Sequence, residues 1–277
     1  MYKVLALDLD GTVLKDDHTI HPEVKKAIQE AKQSCHVVIV TGRHHTAARP
    51  YYYELGLDTP IICCNGTYVY DYQTETVLTQ NAIDKDKALT FIDMADEFQL
   101  KMVMYITHAM TYSHYNPFAY MLALESWAET APEQHRPQIY QVESFIETAQ
   151  QAEHVWKFVV EGSQDSVDRL MQHPWIEENF NGERSWSNRI DFAAKGNSKG
   201  LRLAEYIAEL GYHADDVIAV GDNHNDISML KYAGLGVAML NADDIVKSHV
   251  QRVCSTDNNH DGLARLIREQ IKGQQHD

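Results

Sequence analysis

The sequence predicts an α/β protein: a Rossmann-like parallel-sheet core with helices on both faces, plus an inserted α/β cap domain. Three observations predict it. Short, nearly continuous apolar runs alternate with helical stretches at the start of the chain, as strands covered on both faces do. The same alternation returns near the end. Between them lies a block of different texture, where apolar and polar residues alternate and where Trp127, Trp156 and Trp175 fall, with Trp186 near its edge.

In chain order, the run Val4-Leu5-Ala6-Leu7 predicts a strand over 3–8. Pro22, favoured in a first helical turn, opens a helix to about Gln33. His36–Val40 reads as a second strand, and Thr41-Gly42-Arg43 leads into a helix reaching about Leu55. Pro60–Cys64 is a third strand, closed by the turn dipeptide Asn65-Gly66. The insert begins near residue 83, with helices expected near 84–98, 117–129 and 164–173 and strands at Met102–Ile106, Met110–His114 and Val155–Val160. The core resumes with a helix from Lys199 to about Gly211 and a strand at Val217–Val220. Helical Ile227–Tyr232, strands near Leu235–Met239 and Val250–Cys254, and a helix from about Asp261 complete it. The expected division is therefore 1–82 and 189–277 for the core and 83–188 for the cap.

Composition bounds the function. The 277 residues suffice for two domains with real cores, and 44% hydrophobic with 23% charged residues is ordinary for a globular chain. A formal charge of −16 argues against nucleic acid as a partner. It also repels anionic ligands, so a phosphate site would need a metal, a local Lys or Arg, and backbone N–H groups. No apolar run is long enough to span a bilayer and no signal-peptide pattern opens the chain, so no membrane is expected and the cytoplasm is the default. Cys35, Cys63, Cys64 and Cys254 lack metal-type spacing and are expected as buried free thiols.

The chemistry is expected outside the carboxyl ends of the parallel strands. Asp8-Leu9-Asp10-Gly11-Thr12 puts two carboxylates two residues apart where the first strand breaks. One could attack while the other moves protons, and together they could hold a divalent metal. Thr41 and the Gly42 amide could donate to a phosphate oxygen beside a helix N-terminus. Gly221-Asp222-Asn223-His224-Asn225-Asp226 gathers polar side chains behind another strand; Asp222 could complete an oxygen-only metal shell, which favours Mg²⁺ over Zn²⁺. Asn225 could orient a substrate oxygen or a carboxylate. Asp226 is open between a helix cap and a group supporting its neighbours, and His224 between a ligand and a solvated loop histidine. Lys199, in Gly196-Asn197-Ser198-Lys199-Gly200, stands at a helix start, where a cation is unfavourable, and could offset repulsion between a carboxylate and a phosphate dianion.

Taken in order, Asp8-Leu9-Asp10-Gly11-Thr12, Thr41, Lys199 and Gly221–Asp226 resemble the four motifs of the haloacid-dehalogenase-like phosphatases, and the large insert resembles the Cof-type branch. That resemblance implies a phosphomonoesterase in which Asp8 is the nucleophile and Asp10 the general acid and base. It implies Mg²⁺, replaceable by Mn²⁺ or Co²⁺, on Asp8, the Asp10 carbonyl and Asp222. Leu9 through its amide, Thr41, Gly42, Lys199 and Asn225 would bind the phosphoryl oxygens, Thr12 and Asp226 would support the loops, and Asn65 and Gly66 would border the substrate entrance. The segments Thr41–His45, Ile62–Tyr68 and Val155–Phe158 are similar to those of bacterial enzymes acting on pyridoxal 5′-phosphate, which implies that substrate. Sugar phosphates come second, a phosphosugar mutase third, and a phosphate-ligand sensor is the non-enzymic alternative. The partner is then a small phosphorylated metabolite, with no obligate protein partner, and the insert is expected to move as a lid. It holds aromatic and polar groups suited to a ring or sugar, among them Tyr105, His108, Tyr112, Trp127 and Trp156, but most tryptophans of such a block are expected in the core and none is assigned to the site.

Overall fold

The computed structural model describes residues 2–272. In chain order the elements begin with β1 (Val4–Leu7), α1 (Pro22–Ala31), β2 (His36–Ile39), α2 (His45–Glu54), β3 (Ile61–Cys63), β4 (Tyr68–Asp71) and β5 (Thr76–Gln80). There follow α3 (Lys85–Glu97), β6 (Lys101–Ile106), β7 (Ala109–Ser113), α4 (Ala119–Ala128), β8 (Ile139–Val142), α5 (Phe145–Gln151), β9 (Val155–Glu161), α6 (Gln164–Met171), α7 (Pro174–Asn179), β10 (Phe180–Trp186) and β11 (Arg189–Ala194). The chain continues with α8 (Lys199–Glu209), β12 (Val217–Gly221), α9 (Ile227–Tyr232), β13 (Leu235–Ala238), α10 (Asp244–Ser248), β14 (Arg252–Val253) and α11 (Gly262–Lys272). These elements group into two compact units: one of residues up to Gly42, Tyr51–Thr79 and from Ser198 onward, the other of Arg43–Pro50 and Gln80–Asn197.

The first unit is built on a five-stranded sheet in the order β14-β13-β12-β1-β2, with every neighbouring pair parallel. Its strands are apolar on both sides because helices cover both faces. Val4, Ala6, Val38, Val217 and Ala219 pack against Leu203 and Ile207 of α8 and Met229 and Leu230 of α9. The alternate residues Leu5 and Ile218 meet Leu266, Ile267 and Ile271 of α11. Beyond them α11 packs on α1, and Arg268 pairs with Glu23 and Glu30, each at 2.8 Å. Leu7 stands opposite both Val220 and Ile39, so Asp8, Gly221 and Val40 leave three adjacent strands at one level. That register brings the motifs together.

The second unit holds a six-stranded sheet, β10-β11-β9-β6-β7-β8, antiparallel except for β7 with β8. Met104, Phe158, Val160, Ile190 and Phe192 form one core with Phe91 and Ile92 of α3, Ala149 of α5 and Leu170 of α6. Phe91 stacks on Phe158 with centroids 4.4 Å apart. Lys157, the neighbour of Phe158, belongs to the opposite face, where it is buried, bonds Asp191 at 2.6 Å and lies 4.6 Å from the centroid of the Tyr105 ring.

Several expectations need correction. The strand expected over Val250–Cys254 is only Arg252–Val253. The helix expected to 173 ends at Met171, because His173 caps a separate helix with Pro174 at its first position. Cys63, Cys64 and Cys254 are buried free thiols, but Cys35 is half-buried. Other readings hold: as expected for most tryptophans of the insert, Trp156 is core, as is Tyr112, while Trp127 is half-buried beneath Arg43 and His108 is exposed. No helix among the described residues is long and apolar enough to cross a membrane.

Candidate active site

β1 ends at Leu7, and Asp8 continues its ladder by donating its backbone N–H to the Val220 carbonyl at 3.0 Å. The Leu9 carbonyl then accepts from Thr12, Val13 and Leu14, folding 9–14 into a tight loop. Gly11 turns that loop with φ +77°, and a Cβ there would fall 2.2 Å from Asp222 Oδ2, so no other residue fits without displacing a site carboxylate. Asp8 is buried, whereas Asp10 is half-exposed, its Oδ1 lying 3.8 Å from His18 Nδ1.

Lys199 begins α8 and is buried. Its Nζ donates to Asp8 Oδ1 at 2.7 Å and to Asp226 Oδ1 at 2.6 Å. Burial opposes that charge, but Asp226 and Asp8 together outweigh it and hold the ammonium above its ordinary range. Asp226 is fully buried; its Oδ2 accepts the backbone N–H groups of Asp222 and Asn223, each at 2.9 Å. Asp226 therefore anchors the loop after β12 and pairs the lysine; its side chain makes no cap hydrogen bond to α9, so it supports its neighbours and does not cap that helix. His224 is a solvated loop histidine paired with Asp243.

Asp8, Asp222 and Asp226 each offer a carboxylate oxygen, all within 4.8 Å of one another. Burial, then the nearness of Asp226, pushes Asp8 well up despite Lys199. Burial and Asp226 likewise raise Asp222 to about 7, with Asp10 adding to the rise. Three carboxylates crowd around one ammonium, and the surplus negative charge lies largely out of water. Asp226 already holds Lys199 at 2.6 Å and two backbone N–H groups at 2.9 Å, whereas Asp222 has only the longer contacts of Thr12 at 3.5 Å and Asn241 at 3.2 Å. Asp8 and Asp222 are thus the side chains whose oxygens better suit a hard cation; Mg²⁺ fits such a donor set. Thr12 Oγ1 lies 3.5 Å from Asp222 Oδ1, a weak support.

Thr41 is buried, its N–H bonded to the Ile62 carbonyl and its carbonyl accepting from the Asn65 N–H at 3.0 Å. Asn225 Nδ2 donates to Asn65 Oδ1 at 3.0 Å. Leu9, Thr41, Gly42, Lys199 and Asn225 thus all belong to the loops at the carboxyl edge of the first unit's sheet, the Lys199 helix included. Asn65 and Gly66 are buried, in contact with these loops. Sequence reasoning missed Asn241, which donates to the Gly11 carbonyl at 2.9 Å and to Asp222 Oδ2 at 3.2 Å. Its place just after β13 at the same sheet edge was the available signal. It also missed Ser228, which accepts the Gly200 N–H at 3.0 Å, and Arg202, which donates to the Gly66 carbonyl at 3.0 Å; neither stands in a pattern.

Carboxylates at parallel strand ends around a buried lysine, on a doubly covered sheet with an α/β insert, define a class of phosphate-ester hydrolases. The chain belongs to the haloacid dehalogenase-like hydrolase family, which it matches over residues 5–267, and it is a phosphatase, a phosphoric monoester hydrolase. It is 44% identical to the pyridoxal phosphate phosphatase YbhA of Escherichia coli (strain K12) over 269 residues, 96% of this chain and 97% of the relative. It is 30% identical to the 5-amino-6-(5-phospho-D-ribitylamino)uracil phosphatase YcsE of Bacillus subtilis (strain 168), covering 97% of this chain and 96% of that one. A crystal structure of a haloacid dehalogenase-like hydrolase from Bacteroides thetaiotaomicron shares the fold, with a TM-score of 0.83 at 24% identity over 98% of this chain and all of that one.

Proposed function

We propose that this phosphatase is Mg²⁺-dependent, works through an aspartyl-phosphate on Asp8, and hydrolyses pyridoxal 5′-phosphate to pyridoxal and phosphate. The observation that carries the chemistry is the double pairing of Lys199 with Asp8 and Asp226 beside Asp222. The substrate rests on the 44% identity to an enzyme of that name along almost the whole chain.

In the first step an Asp8 oxygen attacks phosphorus, the bond from phosphorus to the ester oxygen breaks, and Asp10 gives its proton to the leaving alkoxide. In the second, Asp10 takes a proton from water, the water oxygen attacks phosphorus, and the acyl phosphate bond breaks to free Asp8 and release phosphate. The half-exposed position of Asp10 suits a group that must exchange protons with water. Lys199, Thr41, the amides of Leu9 and Gly42, and Asn225 hold the phosphoryl oxygens in line for attack. Asp8, the Asp10 carbonyl and Asp222 would hold Mg²⁺, which supplies charge neutralisation at the transferring group. Residues 83–188, which fall within the second unit, select the leaving group as the specificity cap.

The test is phosphate release with Mg²⁺ from pyridoxal 5′-phosphate, sugar phosphates and phosphorylated ribityl compounds, the last because of the relative at 30% identity. The highest kcat/KM is expected with pyridoxal 5′-phosphate, and Asp8→Asn is expected to lose at least about 10³-fold in kcat. An Asn variant as fast as the wild type would remove Asp8 as nucleophile. A sugar phosphate preferred by an order of magnitude would overturn the substrate.

A further inference from the structure

We propose that Asn65 is a positioning residue, whose side chain sets the orientation of the Asn225 amide and whose turn joins the Thr41-Gly42 loop to the Lys199 helix. The inference rests on the reading that Asn225 holds phosphoryl oxygens. Asn65 lies between β3 and β4 in the left-handed region, φ 58°, directly after Cys64 at φ 50°. Two consecutive non-glycine residues in that region are held only where the surroundings over-determine them. They do so here. The Asn65 N–H is tied to the Thr41 carbonyl at 3.0 Å. The next residue, Gly66, has φ +90° and packs so closely on α8 that a Cβ would lie 2.1 Å from the Ser198 carbonyl oxygen. The Gly66 carbonyl accepts from the buried Arg202 of α8. One three-residue turn thus touches the loop after β2, the start of α8 and the loop after β12.

The side chain adds orientation. Asn65 Oδ1 accepts one hydrogen of Asn225 Nδ2 at 3.0 Å, while Asn225 Oδ1 is buried and makes no hydrogen bond. Half a turn of the Asn225 amide would bring two acceptor oxygens together. The observed orientation leaves the second Nδ2 hydrogen for a phosphoryl oxygen and keeps the amide oxygen out of its way. Gly42 is part of the same arrangement, because a Cβ there would come within 2.9 Å of Asn65 Oδ1 and 3.7 Å of Asn225 Nδ2.

The test is a double-mutant cycle of Asn65→Gly and Asn225→Ala, assayed with saturating Mg²⁺ and p-nitrophenyl phosphate, with inorganic phosphate as competitive inhibitor. Glycine accepts the left-handed backbone and removes the side chain, and thermal unfolding of each variant checks that it is folded. Both single variants are expected to raise the KM and the phosphate Ki about tenfold, and the double variant no further than Asn225→Ala alone. A folded Asn65→Gly enzyme with unchanged Ki, or effects that multiply in the double variant, would overturn the proposal. An unchanged Ki in Asn225→Ala would instead overturn the assignment of Asn225 to phosphate, and the proposal with it. Should Asn65→Gly not fold, Asn65→Asp keeps an acceptor and the turn; it must retain coupling to Asn225 in the same cycle for the proposal to stand.

Discussion

Lys199 occupies a position that local rules disfavour twice over, a cation at the start of a helix and an ammonium out of water. Two charge-assisted hydrogen bonds at 2.6 and 2.7 Å compensate it, and in return it neutralises part of a buried acidic group. Removing one side of a buried ion pair costs about 3–5 kcal/mol, because the other side is left charged and dry. Lys199→Met is therefore expected to be inactive and clearly less stable. The loss carries a sign in pH. Without the ammonium, burial and Asp226 raise Asp8 unopposed, so the folded state binds more protons than the unfolded chain. Stability from a raised carboxyl is present below its unfolded value and is lost as pH rises. The deficit of Lys199→Met against the wild type, measured by chemical unfolding without metal, should shrink between pH 8 and pH 5. A deficit independent of pH would mean that lost packing outweighs charge.

At the level of elements, the site was legible because it follows from strand register. Apolar runs announced β1, β2 and β12, and residues directly after them had to converge once those strands were neighbours. Asp8, Thr41 and Asp222 come from that rule. Asn241, Arg202 and Ser228 do not, because a lone polar side chain within reach of a backbone group leaves no periodic trace. The β4–β5 hairpin escaped for a related reason: β5 alternates exposed and half-exposed residues and lacks an apolar stripe. Short α5, α7 and α10 depend on caps at Ser144, His173 and Asp243 more than on a long hydrophobic face.

The start of α2 allows a sharper test. His44 is fully buried, with Nδ1 accepting from the Thr46 N–H and Nε2 at 2.9 Å from the Ile106 carbonyl. A carbonyl can only accept, so the ring is neutral with its proton on Nε2. Burial lowers its pKa from 6.5 to about 3, opposed by the Ile106 bond and reinforced by His108, Lys157 and Arg49. Stability from a depressed histidine is complete above 6.5 and is lost as pH falls toward 3, by at most about 5 kcal/mol for this group. His44→Gln should unfold with a shallower dependence between pH 7 and pH 5 than the wild type. Parallel curves would show that His44 does not titrate on unfolding.

For the whole molecule, the governing quantity is the charge of −16 set against an anionic substrate. Two fields compete. The general field repels a phosphate dianion over distances comparable to the Debye length, about 30 Å at 0.01 M salt and about 8 Å at 0.15 M. The local field, from Lys199 and the proposed Mg²⁺, acts over a few ångströms in a buried site, where salt screens little. Added salt should therefore weaken the repulsion more than the attraction. Between 0.01 and 0.15 M KCl, with Mg²⁺ saturating throughout, kcat should stay constant while the KM for a phosphomonoester falls several-fold. A basic, steering surface gives the opposite sign, since there salt removes attraction. A KM that rose with salt would mean that a local positive patch, and not the net charge, governs the approach of substrate.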